Sequence, residues 1–209
     1  PDDTADITLE EMVKEYIKVR YKKPGAVFLG TIHRIDRPVS GTIVFARTSK
    51  ALTRMNELFK QRAVEKKYWA ITQQRPQMLE GSLEHYLAKD RQKNQAMLFE
   101  TLSSRAKASK AKKATLHYKL IASADNRNLL EVSLETGRPH QIRVQLAHIG
   151  CPIVGDLKYG APFALHDASI GLHSRSISFV HPVKKTPVFI SADPPQHVEW
   201  TRFADVLNY

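Results

Sequence analysis

The alternation of apolar and polar positions near the N-terminus predicts an amphipathic helix. Thr8 and Glu11 have the spacing of a capping box, and Ile7 is placed to pack against Met12 as a hydrophobic staple. A period of about 3.6 residues then puts five apolar side chains on one face, namely Leu9, Met12, Val13, Tyr16 and Ile17. The pattern stops at residues 22–25 (KKPG), so we expect the helix to end there.

Two short apolar runs predict strands on either side of a second helix. Residues 43–46 follow Ser40-Gly41 and predict a short buried strand, and residues 68–71 predict another. Between them, Thr48 or Ser49 can cap a helix. The inward face of that helix would carry Ala51, Leu52, Met55, Leu58 and Phe59.

The second half of the chain predicts a hairpin, a helix and a further strand. Residues 116–120 and 130–134 alternate in polarity on either side of a turn rich in Asp and Asn, which is typical of a β-hairpin. Residues 141–149 predict a helix that ends at Gly150, and residues 177–179 predict a strand. Since no internal repeat or linker separates these elements, we expect one domain of the α+β class.

The charge balance favours a polyanionic partner. The 209 residues include 32 Lys and Arg against 21 Asp and Glu, a formal net charge of +11. Neutralising phosphates releases counterions, so this charge favours nucleic acid. The alternative, an anionic membrane surface, is less favoured because the charges do not form a basic amphipathic helix. The sequence contains no apolar run of membrane-spanning length and no signal-peptide pattern, so we expect no membrane partner.

The cysteine content restricts the chemistry further. Cys151 is the single cysteine, which excludes an internal disulfide and any metal site built from several cysteines. It lies between Gly150 and Pro152 without a neighbouring base, so we expect it to be a small packing residue. The composition is compatible with a reducing compartment, and we expect a cytoplasmic location.

Residues 89–113 form a basic segment, the name used for them below. Asp90 and Glu100 are its acidic residues, against eight basic ones, which are Lys89, Arg91, Lys93, Arg105, Lys107, Lys110, Lys112 and Lys113. The segment is either a mobile surface hairpin or an arm that contacts RNA, and a merely solvated loop is equally compatible with the pattern.

One candidate for chemistry is the cluster at residues 33–41 (HRIDRPVSG). Arg34 and Arg37 flank Asp36, so we expect this carboxylate to remain ionised at neutral pH. An ionised aspartate suits a nucleophile or a base better than a general acid, and the arginines could meet phosphates. The alternative is that Asp36 is only a turn or ion-pair residue.

A second candidate is the cluster at residues 136–143 (TGRPHQIR). On the predicted helix, His140 and Arg143 lie three residues apart and share a face, as do Gln141 and Gln145. A helix N-terminus with such side chains could hold a phosphate or pair with a carboxylate. The alternative is a capped helix with solvent-exposed polar residues.

The remaining motifs exclude other chemistries. The nine histidines lack the spacings of a helical metal pair, so we expect no metal site, and His33, His140 and His173 occur singly. We find no glycine-rich phosphate loop and no Ser-His-Asp order, which argues against nucleotide hydrolysis and acyl transfer.

Five blocks of the sequence resemble those of the RluA-like RNA pseudouridine synthases and occur in the same order. Residues 33–41 resemble the HRLDRxTSG signature of that family, and residues 136–143 resemble its TGRxHQIR block. Residues 67–70 (KYWA) are similar to its K-x-Y-x-A motif, and residues 155–160 (GDLKYG) also fit. Residues 172–182 look like its closing LHA…F-x-HP block.

The resemblance implies a central, mixed and mostly antiparallel sheet with flanking helices, and a cleft that admits one flipped nucleotide. It implies isomerisation of uridine to pseudouridine in structured RNA, either rRNA or tRNA. In that reaction the N1–C1′ bond breaks, the uracil rotates, and C5 bonds to C1′. No cofactor, ATP or metal is implied, and we expect a monomer.

The resemblance also implies residue roles. Asp36 would be the catalytic carboxylate, which either attacks the sugar or removes a proton from C2′. Tyr68 would stack on the target uracil and could act late as an acid or base at C5, while Arg143 would pair with Asp36. Leu172 would form a pocket wall, and Arg34 would enter the space that the uridine leaves. The other expected substrate-binding residues are Arg37, Arg138, His140 and Gln141.

Some positions depart from the family pattern. Val39 replaces a threonine, Ser174 replaces the alanine of LHA, and Gln145 stands where a histidine is common. The strand with an Asn-Lys-Pro-x-Gly-like segment that normally precedes the first block is not visible, and residues 23–25 are a poor substitute. We therefore expect residues 1–209 to be a catalytic domain that lacks its native N-terminal strand and carries no S4-type domain.

Two other functions compete with this one. A non-catalytic RNA-binding or ribosome-assembly protein on the same scaffold would share the net charge, but it has no need of an ionised Asp36 in an anion-binding cleft. A metal-dependent nuclease would require several carboxylates near the phosphate site, and the two main clusters supply Asp36 alone.

Overall fold

The first helix, α1 (Leu9–Arg20), begins at the predicted capping box. Thr8 Oγ1 accepts the Glu11 N–H at 3.2 Å, and the Glu11 carboxylate accepts the Thr8 N–H at 2.7 Å. In the computed structural model, which describes residues 7–207, Ile17 is the one fully buried residue of this helix. Ile7 and Met12 are 75% and 60% exposed, so the expected hydrophobic staple does not form a buried contact.

A small sheet and a second helix follow. The structure has short strands at Gly30–Thr31 (β1), Ser40–Gly41 (β2) and Phe45–Ala46 (β3), and β1 pairs antiparallel with β3. The strand expected at residues 43–46 is therefore shorter than predicted, and it lies outside the main sheet. Helix α2 (Ser49–Lys60) begins after Thr48 as expected, and its predicted inward face is buried or half-buried.

An eight-stranded sheet forms the centre of the structure. Its long strands are β4 (Val64–Thr72), β5 (Glu80–Asp90), β6 (Gln95–Phe99), β7 (Lys112–Ala124), β8 (Arg127–Leu134), β9 (Leu172–Val180) and β10 (Pro187–Ser191). These lie in the order β10-β9-β4-β8-β7-β5-β6 with antiparallel neighbours, and β2 adds to β9 in parallel. The expected mixed, mostly antiparallel sheet is confirmed.

The remaining helices are α3 (Ser104–Ala108), α4 (Gln141–His148), α5 (Val198–Thr201) and α6 (Ala204–Leu207), with a 3₁₀ turn at Leu157–Tyr159. The predicted helix at residues 141–149 is confirmed as α4, and the predicted hairpin is β7–β8. The basic segment contains β6, α3 and the ends of β5 and β7, so part of it is indeed a hairpin. Among the described helices, none is long and apolar enough to cross a membrane.

The two faces of the sheet bury different sets of residues. Tyr68 and Ala70 of β4 face the side on which Ile142 and Leu146 of α4 pack. The alternate residues of β4 face the other side, where they form a cluster with the C-terminal residues; this cluster includes Trp69, Ile71, Trp200, Phe203 and Leu207. Cys151 is buried, in agreement with the expected packing role.

Candidate active site

A cavity of about 370 Å³ opens on the α4 side of the sheet. Its walls come from the segment around Asp36, from Phe59 of α2, from β4, from residues 137–143 and from Leu172 of β9. The two clusters that the sequence singled out are therefore adjacent in space, although about a hundred residues separate them along the chain. This cavity is the candidate active site.

The Asp36 segment is held by backbone contacts with β9. Gly41 has φ of 114°, and a Cβ at this position would lie 2.2 Å from the backbone oxygen of Ser174. Only glycine permits this close approach of β2 to β9. A turn closed by the Val39 N–H and the Asp36 carbonyl, at 2.9 Å, then directs the Asp36 side chain towards the cavity.

A buried arginine joins two carboxylates at the base of the cavity. Arg143 Nη1 donates to Asp36 Oδ2 at 3.0 Å, while its Nε and Nη2 donate to the two oxygens of Asp156 at 2.7 and 2.8 Å. The side chains of Arg143 and Asp156 are 6% and 1% exposed, whereas that of Asp36 is 21% exposed. Burial disfavours the arginine's charge, but Asp156 and Asp36 together outweigh it and raise the pKa of Arg143.

His140 and Tyr159 complete this network. The sequence placed His140 on the helix, but it lies just before α4, with φ of 54°. Its Nε2 is 3.9 Å from Asp36 Oδ2. Its Nδ1 is 2.7 Å from the Tyr159 hydroxyl, which also accepts the Ala96 N–H at 2.7 Å. When that hydroxyl donates to Nδ1, a neutral His140 carries its proton on Nε2, facing Asp36. Burial lowers the pKa of His140, which favours this neutral form.

Tyr68 and Leu172 form an apolar wall beside Asp36. Both are buried, at 8% and 4% exposed, and both line the cavity. Burial raises the pKa of the Tyr68 phenol, the Asp36 charge adds to the increase, and the Ser174 hydroxyl acts in the opposite direction. The phenol is therefore protonated at neutral pH. Ser174, which departs from the family pattern, lies behind this wall and is 3.1 Å from the Thr42 hydroxyl.

Of the other predicted site residues, Arg34, Arg138 and Gln141 line the cavity and Arg37 does not. Arg34 is exposed and lines the cavity, whereas Arg37 is exposed and does not line it. Arg138 lies at the rim, where its Nε donates to the Lys113 carbonyl at 3.0 Å. Gln141 is buried, not solvent-exposed, and its Oε1 accepts the Thr136 hydroxyl and the Arg138 N–H at 2.8 and 2.9 Å. These bonds make Gln141 a brace for the loop before α4.

Three residues at the site were missed by the sequence analysis. Asp156 and Tyr159 belong to the GDLKYG block, which was matched without any role. Lys66 lines the cavity, whereas Lys67, which was matched to the K-x-Y-x-A motif, ion-pairs with Glu131 at 2.9 Å. The motif's own spacing, one residue between lysine and tyrosine, identifies Lys66. The assignment of Lys67 was therefore wrong. Adjacent strand residues point to opposite faces, so Lys67 faces away from the cavity that Lys66 lines.

Away from the cavity, the described residues include one group with the composition of a metal site. Ligand atoms of His166, Asp167 and His197 lie within 4.8 Å of one another, a proximity that the sequence spacing did not reveal. However, His197 Nδ1 accepts the Glu199 N–H at 3.2 Å, which places the proton of a neutral His197 on Nε2. Nε2 then donates to His166 Nδ1 at 3.3 Å, so the ring nitrogens that face each other already share a proton.

Curated proteins similar to this chain are RNA pseudouridine synthases by name. A ribosomal large subunit pseudouridine synthase D from Zymomonas mobilis is 32% identical over 178 residues, which cover 81% of this chain and 54% of that protein. A ribosomal large subunit pseudouridine synthase C from Vibrio cholerae is 30% identical over 188 residues, 87% of this chain and 56% of that protein. The chain thus spans about half the length of these relatives.

Solved structures and a family model agree with this match. The structure of human RNA pseudouridylate synthase domain containing 4 has a TM-score of 0.76 at 23% identity, covering 98% of this chain and 85% of that one. The structure of human RNA pseudouridylate synthase domain containing 1 has a TM-score of 0.71 at 18% identity, covering 97% of this chain and 87% of that one. Both show the shared fold. The family model for RNA pseudouridylate synthases matches residues 3–148, and the chain belongs to this family, in its RluA-like class.

Proposed function

We propose that this chain converts uridine in RNA to pseudouridine, with Asp36 as the catalytic carboxylate. The observation that carries the proposal is the pairing of Asp36 with Arg143 inside a cavity walled by Tyr68 and Leu172. Arg143 is fully buried and holds one oxygen of Asp36, so the carboxylate is oriented before any substrate arrives. The Asp36 side chain is 21% exposed and lines the cavity, so a nucleotide in the cavity can reach it.

The reaction requires one carboxylate and no co-substrate. Asp36 either attacks C1′ and forms an ester bond that breaks again when C5 bonds to C1′, or it removes the proton from C2′ and returns it to C2′ after C5 has bonded to C1′. In either case the N1–C1′ bond breaks. The uracil then rotates, C5 bonds to C1′, the proton on C5 leaves and N1 gains a proton, so atoms and electrons balance within one nucleotide. We therefore propose that no metal or cofactor takes part.

The neighbouring side chains have complementary proposed roles. Tyr68, as a protonated phenol, packs against the uracil, and it could serve at C5 only after losing its own proton. Leu172 extends the same apolar wall, and Arg34 is placed at the cavity mouth to fill the space that a flipped uridine leaves. Arg138 and His140 would contact the nucleotide or its phosphates, and the exposed Arg37 would contact RNA outside the cavity.

The proposed substrate is ribosomal RNA. This choice is supported by the names of the relatives from Zymomonas mobilis and Vibrio cholerae, both ribosomal large subunit synthases. The net charge of +11 also suits a structured polyanion. We propose that the protein acts as a monomer in the cytoplasm, where such RNA is accessible.

The test is a map of pseudouridine in total RNA from cells with and without this gene, by carbodiimide labelling and reverse transcription. Loss of one or a few sites is expected, with restoration by the wild type and not by Asp36→Asn. Asp125→Asn is the matched control, because Asp125 has an exposed side chain in the β7–β8 turn with φ of 47°, a conformation that asparagine accepts. Restoration by Asp36→Asn would refute the mechanism, and an unchanged map would favour the non-catalytic RNA-binding function.

A further inference from the structure

One wall of the cavity contains a cation, Lys66, for which the part of the chain described by the structure supplies no carboxylate partner. Lys66 and Tyr68 lie two residues apart on β4, so both point into the cavity with their Cα atoms about 7 Å apart. Tyr68 is close enough to Asp36 for that charge to raise its pKa, whereas Lys66 lies next to Phe59, His33 and Gly137. The Cα separation is on the scale of one nucleotide.

The surroundings of the Lys66 ammonium are apolar or neutral. Its Nζ is 5.8 Å from the centroid of the Phe59 ring, and a Cβ on Gly137 would lie 3.5 Å from it. His33 accepts the Val44 N–H at its Nε2, and burial together with the Lys66 charge lowers its pKa to about 4, so it is neutral at pH 7. Among the described residues, no carboxylate forms an ion pair with Lys66.

An unpaired cation in this position is costly unless a ligand uses it. Burial alone lowers the pKa of Lys66, which means that the charged form is disfavoured in the protein without substrate. The contact with Phe59 is within the range of a cation–π interaction and offsets only part of that cost. The next residue on β4, Lys67, has a carboxylate partner in Glu131, so the contrast between the two lysines is a feature of the cavity.

We propose that Lys66 is a phosphate-binding residue, which holds a backbone phosphate next to the nucleotide whose base occupies the Asp36 end of the cavity. A phosphate is the anionic group of RNA, and an ammonium without a counter-ion is complementary to it. Because Gly137 has no side chain, the space next to the Lys66 Nζ stays open to a phosphate oxygen. The base itself lies against Tyr68 and Leu172, about one nucleotide away. This inference rests on the proposed function for the identity of the nucleotide.

The test measures binding of a fluorescein-labelled oligouridylate by fluorescence anisotropy, at NaCl concentrations from about 50 to about 200 mM. Single-stranded probe is used because no duplex has to be opened for a base to enter. For Lys66→Met, we expect affinity to fall about tenfold at the low-salt end, as for loss of one charge-assisted hydrogen bond. The slope of log K against log salt should shrink by about 0.7, the value for one phosphate contact on a single strand.

Lys67→Met is the matched control, since it removes the same charge from the adjacent residue on the other face of β4. It should keep the wild-type slope. Lys66→Arg should recover most of the affinity, because a guanidinium also binds phosphate. An unchanged slope in Lys66→Met, an equal loss in Lys67→Met, or no binding of the probe by the wild type would each overturn the proposal.

Two further readouts separate this role from other roles. Lys66→Met should leave the melting temperature equal to or above that of the wild type, since it removes a half-buried charge without a counter-ion; a clear decrease would indicate a structural lysine. Failure of Lys66→Arg to recover turnover would indicate proton transfer by Lys66. If binding depends on Lys66 but no pseudouridine forms, the phosphate site stands and the proposed function fails. If pseudouridine forms but the salt slope of Lys66→Met is unchanged, the proposed function stands and the phosphate site fails.

Discussion

The two carboxylates on Arg143 should respond very differently to the same substitution. Asp156→Asn and Asp36→Asn each replace one carboxylate oxygen by an amide nitrogen without changing the side-chain volume. Asp156 is 1% exposed and accepts two hydrogen bonds from Arg143, whereas Asp36 is 21% exposed and accepts one. We therefore expect Asp156→Asn to destabilise the fold and Asp36→Asn to leave it nearly intact.

The magnitude follows from the burial of the pair. Removing one partner of a buried ion pair costs about 3–5 kcal/mol, and asparagine retains one acceptor, so about 3 kcal/mol is expected for Asp156→Asn. At about 2–4 °C per kcal/mol for a domain of this size, the melting temperature should fall by about 6–12 °C. In Asp36→Asn, Arg143 keeps Asp156 as its partner, and the cost should stay below about 1 kcal/mol.

The assay is thermal and urea unfolding of both variants and the wild type at pH 7, combined with single-turnover pseudouridine formation on an RNA from the mapping experiment. Asp36→Asn should be stable and inactive. Asp156→Asn should be unstable, with reduced turnover even where it remains folded, because Arg143 is then free to rotate away from Asp36. Equal stability of the two variants would refute the reasoning that Asp156 anchors the arginine.

Two further predictions concern the histidines of the site. Tyr159→Phe removes the hydroxyl that accepts the Ala96 N–H and bonds to His140 Nδ1; stability should fall by about 1–2 kcal/mol and turnover by more than the unfolded fraction explains, and wild-type turnover would contradict this. The pKa of His33 is lowered to about 4, so unfolded His33 binds protons first as pH falls, and stability should be lost between about pH 6.5 and 4, by roughly 2 kcal/mol after solvent screening. His33→Gln, which can still accept the Val44 N–H, should make the urea midpoint less dependent on pH over that range. An unchanged pH dependence would contradict the attribution of this stability loss to His33.

Local signals in the sequence were sufficient for several elements. Thr8 and Thr48 cap their helices as expected, because capping involves atoms only three residues apart. The β7–β8 hairpin was predicted for the same reason, since its two strands adjoin a short turn. The strand β10 was not predicted, the β5–β6 hairpin was only one of the alternatives for the basic segment, and Phe45–Ala46 was placed in a longer strand than it forms, because strand extent depends on partners distant in the chain.

The sequence by itself determined the α+β class, the family and the two clusters that meet at the cavity, and it indicated the contact of Asp36 with Arg143. These conclusions follow from residue types and spacings that act locally or are matched block by block. Tertiary structure alone decided that Asp156 anchors Arg143 and that Gln141 is buried as a brace. Such facts depend on which strand face is covered and on which distant loop arrives beside it, and a linear pattern does not contain that information.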